Sequence, residues 1–302
     1  MQTQTEIRQS ITNRLVAALK SGTDNIPWRR PWATIGPRLP TNHVTGRAYG
    51  GINVLTLWLA AQERHFPVDL WGSFNQWKSI GCNLKRGAKA ERIVFYSQVK
   101  KRAKDENGVE KVETFPILKS WSVFNIAECE GEAIEKFHAQ PSAATFETPD
   151  REEFDKVVAA TGADIRHGGD RAFYKRLPED FVQMPFESQF HDFSGYAETL
   201  GHELLHWSEH RTGWAENYAF SELRAEIGAC FLSANCGIPV SDDLTNHQSY
   251  LASWLEALER DERFLFRASS GASKGVDFIL SFSSPQEEEN DADVETYAVG
   301  AA

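Results

Sequence analysis

The residues best suited to chemistry lie in the stretch 199-TLGHELLHWSEHRTGW-214, which places His202, Glu203 and His206 within five positions. Histidines four residues apart lie above one another on one helix face, where two imidazoles can bind the same zinc ion. Glu203 follows the first histidine and can reach a water on that ion without being a ligand. This is the His-Glu-x-x-His pattern of zinc metalloproteases, in which the metal acidifies the water and the glutamate accepts its proton.

A catalytic zinc ion needs three protein ligands and one open position, so a third ligand must come from another element. The next predicted helix carries Glu222 and Glu226 four residues apart. We predict Glu226 as the third ligand, because its helical neighbours are apolar and a buried acid requires a partner. Glu222 and His210 are predicted to lie outside the coordination shell, where Glu222 can hydrogen-bond a ligand histidine. The alternatives are that Glu226 is a surface acid and that the histidines are incidental.

The elements that must position these residues are mainly helical. Apolar spacing predicts helices over 150–162, 195–211, 219–237 and 246–261, and two short strands between 171 and 185. We therefore predict a second domain at 150–283 that is mainly helical with a small sheet. The acidic, polar residues 284–302 are predicted to be a disordered tail.

The preceding part of the chain is predicted to be a separate α+β domain at 1–130. Helices are predicted over 4–21, 52–65 and 72–81, the last one capped by Ser73, and strands follow in 91–99 and 114–128. A hairpin turn centred on Asn107 and Gly108 is expected between these strands. Residues 131–149, rich in Glu, Ala, Ser and Pro, are predicted to link the domains. The fold class is thus α+β with two domains.

The composition is that of a globular protein, with 302 residues of which 41% are hydrophobic. This length allows two domains, and we expect each to have its own core. The sequence has no run of about 18 apolar residues and no signal-like start, so we expect a cytoplasmic protein without a membrane partner. The four cysteines form no C-x-x-C pair and are expected to be reduced and partly buried.

The charge is divided unevenly along the chain. Residues 1–140 carry 20 Lys and Arg against 13 Asp and Glu, a balance of +7, whereas residues 141–302 carry 12 against 30, a balance of −18. A basic half suits a polyanion, and cations interleaved with aromatic rings are typical of single-stranded nucleic acid binding. The residues that we expect to contact single-stranded DNA are Trp28, Arg29, Arg30, Trp32, Arg47, Tyr49, Asn53, Trp77, Lys78, Lys85, Arg86 and Lys89. The alternative for each tryptophan is that it anchors a loop to the core.

Six motifs carry a resemblance to a known family: PWRRPW, TNHVTGRAYGGINVL, LKRGAKAERIVFY, SVFNIAE, HELLHW and AEIGACFL, in this order. Together they resemble the ArdC-type antirestriction proteins of plasmids and mobile elements over nearly the whole chain. The resemblance implies an N-terminal domain that binds single-stranded DNA and a C-terminal zincin-like metalloprotease domain. It also implies that His202, His206 and Glu226 bind the metal, and that Glu203 is the general base.

Three functions follow as hypotheses. The first is an antirestriction protein that binds single-stranded DNA and protects incoming DNA from host restriction, with a peptidase-like metal site. The second is a DNA-binding antirestriction protein whose metal site is structural or vestigial, and the third is a DNA-recruited metallopeptidase that cuts DNA-bound proteins. One divalent ion is expected, with zinc favoured over manganese and other divalent ions. A subunit of a host restriction enzyme is the candidate protein partner.

Overall fold

The computed structural model describes residues 3–21, 26, 38–104, 110–132, 134, 151–214, 216–239 and 254–284, with side chains described except at 98–104 and 110–116. The loop residues Trp28, Arg29, Arg30 and Trp32, most of the expected linker 131–149 and nearly all of the expected tail lie outside these ranges. Within the described ranges, every helix is too short or too polar to span a lipid bilayer.

The N-terminal half places helices before and between short strands, and a long hairpin follows. In chain order its elements are α1 (Gln4–Lys20), β1 (Thr41–Asn42), α2 (Ile52–Glu63), β2 (Leu70–Gly72), α3 (Phe74–Ser79), β3 (Asn83–Leu84), β4 (Glu91–Lys104), β5 (Glu110–Asn125) and β6 (Cys129–Glu130). Capping boxes begin two of the helices, one at Thr3 and one at the predicted cap Ser73. Such caps satisfy backbone N–H groups that the first helical turn leaves without partners.

The main sheet of this half has the order β1-β2-β5-β4, with β1 and β2 parallel and the other pairs antiparallel. The predicted hairpin is confirmed by β4 and β5, although the turn at Asn107 and Gly108 lies outside the described residues. Helix α2 closes part of the outer edge of β4, because the Asn53 side chain exchanges two hydrogen bonds of 2.8 Å with the backbone of Val94. This amide satisfies edge groups that would otherwise be open to another strand.

The C-terminal half is mainly helical with a three-stranded sheet. Its elements are α4 (Arg151–Thr161), β7 (Asp164–His167), β8 (Phe173–Lys175), β9 (Phe181–Met184), α5 (Phe193–Thr212), α6 (Tyr218–Asn235) and α7 (Phe264–Ser281), and residues 254–260 are also helical. The sheet has the order β7-β9-β8, with β7 parallel and β8 antiparallel to the central strand. The sequence analysis identified neither β7 nor α7. The segment that forms α7, FLFRASSGASKGVDFILS, is rich in serine and glycine, which are weaker helix formers than alanine.

The glycines of α6 and α7 allow these helices to pack closely on α5. A Cβ atom added to Gly228 would lie 2.5 Å from Leu205 Cγ, and one added to Gly275 would lie 2.5 Å from Leu205 Cδ1. The same atom on Gly275 would lie 2.6 Å from Nη2 of the buried Arg224. No side chain larger than hydrogen fits at these contacts without displacing its neighbours, so the close approach of α5, α6 and α7 requires glycine here.

The two halves share one hydrophobic core, which differs from the expectation of a separate core in each. The cluster of buried side chains is continuous from α1 to α7, and Trp58 of α2 packs edge-on against Phe231 of α6 with ring centroids 5.6 Å apart. Polar contacts join the same halves, including a 3.1 Å ion pair between Arg8 and Glu262. A smaller cluster around Trp77 lies within the N-terminal half. All four cysteines are buried free thiols, as predicted.

Replacing Gly275 with alanine should lower the free energy of unfolding by about 1–3 kcal/mol, because the new methyl group would overpack Leu205 and displace the Arg224 guanidinium. The matched control is Gly201→Ala on α5, where the nearest atoms lie 3.6–3.8 Å from the added Cβ. This control should leave stability unchanged or raise it, since alanine favours a helix interior by roughly 0.5–1 kcal/mol over glycine. Chemical denaturation measures both. Equal effects of the two substitutions would contradict the packing argument.

Candidate metal centre

Helix α5 presents the His-Glu-x-x-His residues from a well-anchored backbone. Its N-cap Asp192 accepts a hydrogen bond of 2.8 Å from the backbone N–H of Gly195, and Gly213 ends the helix in the left-handed conformation that favours glycine. Leu204 and Leu205 are completely buried, which fixes the middle of the helix in the core. His202 and His206 are partly exposed and lie one turn apart, with ring centroids separated by 4.8 Å.

The two histidines and Glu222 bring three potential ligand atoms together. Nε2 of His202 lies 3.1 Å from Nε2 of His206, and the two oxygens of Glu222 lie 3.5 and 3.7 Å from these nitrogens. The three atoms form a group in which every separation is below 4.8 Å. Two imidazole nitrogens and one carboxylate are the donor set that protein sites use for zinc and similar divalent ions, so these residues fit a divalent metal.

Glu226 approaches the same site from the other side of a histidine ring. Its Oε2 lies 3.7 Å from Nδ1 of His202, whereas the paired Nε2 atoms face Glu222. Among the described residues, Glu226 belongs to a second group of potential ligand atoms, with Glu198 and Cys230. The apolar neighbours of Glu226 in the sequence favoured it as the ligand and left Glu222 outside the coordination shell, whereas in the structure Glu222 lies beside the paired Nε2 atoms and Glu226 lies beside Nδ1 of His202.

The other two residues named for this site lie close to it. Glu203 is buried, with 8% of its surface exposed, next to His202 on α5. His210 is exposed, stacks on Tyr174 with ring centroids 6.3 Å apart, and has its Nε2 3.0 Å from Nη1 of Arg211. It is in neither group of potential ligands found in the described part of the chain. His210 therefore faces the sheet.

The charges of the site favour an ionised carboxylate beside the histidines. Burial alone would raise the pKa of Glu222, but its hydrogen bond to His202 and the nearby charge of His206 lower it below its usual value. Burial likewise opposes charge on His202, yet the neighbouring carboxylates of Glu222 and Glu226 raise the pKa of that imidazole well above its ordinary value. A divalent cation bound beside these side chains would offset the negative charge of the carboxylates in the same way.

Sequence analysis did not identify Glu209, which contacts the second histidine. Nδ1 of His206 lies 2.8 Å from Oε1 of Glu209, whose other carboxylate oxygen accepts a 2.8 Å hydrogen bond from Arg176. Burial would raise the pKa of Glu209, and the hydrogen bond and charge of His206 lower it instead. The signal was present in the sequence as an acid three residues after His206, a spacing that brings side chains together on one helix face.

Three residues expected to contact DNA are buried instead. The Asn53 amide is engaged by Val94, the Tyr49 hydroxyl accepts a 3.2 Å hydrogen bond from Asn42, and the Trp77 indole donates to the carbonyl of Phe124 at 3.1 Å. Trp77 is completely buried. Their rings and polar groups are thus committed to the interior of the protein. The remaining described candidates are all exposed, and they are Arg47, Lys78, Lys85, Arg86 and Lys89.

Accessible aromatic rings occur instead on the β4–β5 hairpin. Phe95 is 47% exposed and Trp121 is 42% exposed. In the register of the two strands, Phe95 lies opposite Lys119 and Ile93 lies opposite Trp121, so Phe95, Lys119 and Trp121 share one face. We call these three residues the hairpin face. Ile93 lies on the same face but is 3% exposed, so strand alternation alone does not show which of these side chains are accessible.

Comparison with known proteins assigns both halves of the chain to families. Residues 5–124 match the N-terminal domain of the anti-restriction factor ArdC, and residues 152–271 match a zincin-like metallopeptidase. The antirestriction ArdC protein from the R388 plasmid has a similar structure, with a TM-score of 0.76 and 33% identity over 92% of this chain and 98% of that chain in its metal-free form. Its Mn(II)-bound form has a TM-score of 0.71 and 32% identity over 93% of this chain and 99% of that chain.

Two relatives extend the comparison. The uncharacterized protein y4eC of Sinorhizobium fredii is 31% identical over 293 residues, which cover 92% of each chain. The DNA primase TraC of Escherichia coli is 33% identical over 93% of this chain, but the match spans only 28% of TraC. The fold and site define a two-domain protein with a zincin-like metallopeptidase domain. The chain belongs to the ArdC family of antirestriction proteins.

Proposed function

We propose that this protein binds single-stranded DNA in the cytoplasm and protects incoming DNA from host restriction, using a peptidase-like divalent metal site. The observation that carries the proposal is the convergence of His202, His206 and Glu222 from two adjacent helices, with Glu203 buried beside them. Family membership and the basic N-terminal half, with its balance of +7, support the DNA-directed role.

The proposed ligands are Nε2 of His202, Nε2 of His206 and the carboxylate of Glu222. A bound divalent ion supplies Lewis acidity, which polarises a carbonyl and lowers the pKa of water. Glu203 is proposed to take the proton from the attacking water and to deliver it to the departing amide nitrogen. Glu226 is proposed to hold Nδ1 of His202 from outside the coordination shell. Zinc is the proposed ion, and the Mn(II)-bound ArdC structure supports manganese as the alternative.

The ligand assignment predicts different losses for the two glutamates of α6. Glu226→Gln should weaken binding of Zn²⁺ about 10–100-fold, as expected for a residue that orients a ligand. Glu222→Gln should weaken binding by more than that range, because it removes a charged ligand. Competition with a chromophoric chelator measures both affinities. A larger loss of Zn²⁺ affinity in Glu226→Gln than in Glu222→Gln would instead identify Glu226 as the ligand, as its sequence context favoured.

Peptide hydrolysis is the part of the proposal that depends on Glu203. Glu203→Gln should retain the metal and bind DNA like the parent, while cleavage of a restriction enzyme subunit should fall about 10²–10⁴-fold. The measurements are metal content, DNA affinity, cleavage in vitro, and protection of transferred DNA in cells.

Three outcomes separate the candidate functions. Loss of both cleavage and protection in Glu203→Gln supports a proteolytic antirestriction mechanism. Full protection by this variant would show that proteolysis is not the mechanism and would favour a structural or vestigial metal site. Cleavage of diverse DNA-bound proteins, without any effect on restriction, would favour a DNA-recruited metallopeptidase.

The DNA surface is proposed to combine the hairpin face with the exposed cations of the N-terminal half. Phe95 and Trp121 offer accessible rings for stacking bases, and Lys119 lies between them for a phosphate. The exposed cations in the segment 85–89 extend the positive charge. Binding that depends on phosphate contacts weakens as ionic strength rises, because counterions released into a more concentrated salt solution gain less entropy.

Trp121→Ala and Phe95→Ala should each weaken binding of an oligothymidine about 5- to 150-fold, the equivalent of about 1–3 kcal/mol for one stacked base. The matched control is Phe173→Ala, which removes a ring that is 41% exposed in the C-terminal half. Fluorescence anisotropy at several salt concentrations measures the affinities. Parental affinity in both hairpin variants would exclude the hairpin face, and salt-independent binding by the parent would exclude phosphate contacts.

A further inference from the structure

The last turn of α5 is joined to the metal centre and to the small sheet through Glu209. This carboxylate is 2% exposed, and its Oε1 lies 2.8 Å from Nδ1 of His206. Its Oε2 accepts a 2.8 Å hydrogen bond from Nη2 of Arg176, in the turn between β8 and β9. The contacts form a chain from the turn through a buried acid to the second histidine.

The hydrogen bond to Nδ1 determines which nitrogen of His206 is available for a metal. A neutral imidazole carries one proton, and donation of that proton from Nδ1 to Glu209 leaves the lone pair on Nε2. Nε2 is the atom that lies 3.1 Å from Nε2 of His202 and 3.7 Å from Glu222. The bond also prevents the ring from flipping, since a flipped ring would present carbon to the carboxylate.

The two histidines differ in how firmly Nδ1 of each ring is held. Nδ1 of His202 faces Glu226 at 3.7 Å, which is beyond hydrogen-bond distance, whereas Nδ1 of His206 lies 2.8 Å from Glu209. Glu209 is also on the same helix as His206, three residues later, so their spacing is set by local geometry. His206 is thus the more firmly oriented of the two.

We propose that Glu209 is a positioning residue of the metal centre, which directs Nε2 of His206 toward the ion, and that Arg176 holds its carboxylate in place. This inference rests on the proposed role of His206 as a ligand. It assigns a function to the β8–β9 turn, which carries Arg176 and thereby links the sheet to metal affinity. Acids that hydrogen-bond a ligand histidine in this way orient the ring and increase its basicity.

A second ion pair joins the same turn to the same helix and offers a matched control. Nη2 of Arg211 lies 2.5 Å from Oδ2 of Asp180, and Oδ1 of the same carboxylate accepts a 2.6 Å hydrogen bond from the Tyr174 hydroxyl. Removing Arg176 or Arg211 cuts one connection between turn and helix, but only Arg176 contacts Glu209. The pair of variants therefore separates loss of the Glu209 contact from loosening of the turn.

The test is the affinity of the full chain for Zn²⁺ and Mn²⁺, measured by chelator competition, together with thermal unfolding of the metal-free protein. Glu209→Ala should weaken metal binding about 10–100-fold. Glu209→Gln should lose less metal affinity than Glu209→Ala, because the glutamine amide oxygen still accepts the hydrogen bond from Nδ1 of His206. The metal affinity of Arg176→Ala should lie between those of the parent and Glu209→Ala. Arg211→Ala should bind both ions as tightly as the parent.

Two results would overturn the inference while leaving the ligand set intact. The first is parental metal affinity in Glu209→Ala, and the second is an equal loss in Arg176→Ala and Arg211→Ala. If Glu209→Ala does not fold, the metal affinities of Glu209→Gln and of Arg176→Ala, at an exposed position, test the inference in its place. A parent protein that binds neither ion would instead contradict the proposed ligands themselves, and this inference with them.

Discussion

The candidate metal centre depends on the close contact of three helices around Leu205. Gly228 of α6 and Gly275 of α7 face this side chain so tightly that a methyl group at either position would lie 2.5 Å from it. Arg224, completely buried, donates to the carbonyls of Leu205 and Gly271 and so joins all three helices. Desolvation lowers its pKa to about 10, which leaves it charged at neutral pH. Hydrogen bonds offset the cost of burying that charge.

This arrangement determines the position of the carboxylates. Glu222 and Glu226 lie one turn apart on the face of α6 opposite Arg224, since two residues along a helix correspond to a rotation of about 200°. Arg224 and the acids thus contact different parts of α5, because Arg224 reaches the carbonyl of Leu205 while Glu222 and Glu226 lie beside His202. The same α6 carries Phe231, which packs on Trp58 of the N-terminal half. The helix that supplies the carboxylates is therefore also part of the core that joins the two halves.

For the candidate DNA surface, composition predicted the basic charge of the N-terminal half but not its accessible aromatic rings. The uneven charge correctly marked the N-terminal half as basic, but it did not show which rings were accessible. Trp77 lies in a core cluster and Asn53 closes a strand edge, while Phe95 and Trp121 are exposed. Which rings are covered depends on contacts between distant parts of the chain, since Ile93 is buried on the same face that exposes Phe95 and Trp121.

The sequence by itself determined the helices of the metal site, the pair of histidines with Glu203, and the family. These features depend on local spacing, because residues four apart meet on one helix face whatever surrounds them. Only the tertiary structure shows that Glu222 lies nearer than Glu226 to the paired Nε2 atoms. Both acids have the same helical spacing, and a turn of about 5.4 Å separates them along the axis. Which one reaches the paired Nε2 atoms depends on how α6 lies along α5, and that is set by the glycine contacts with Leu205.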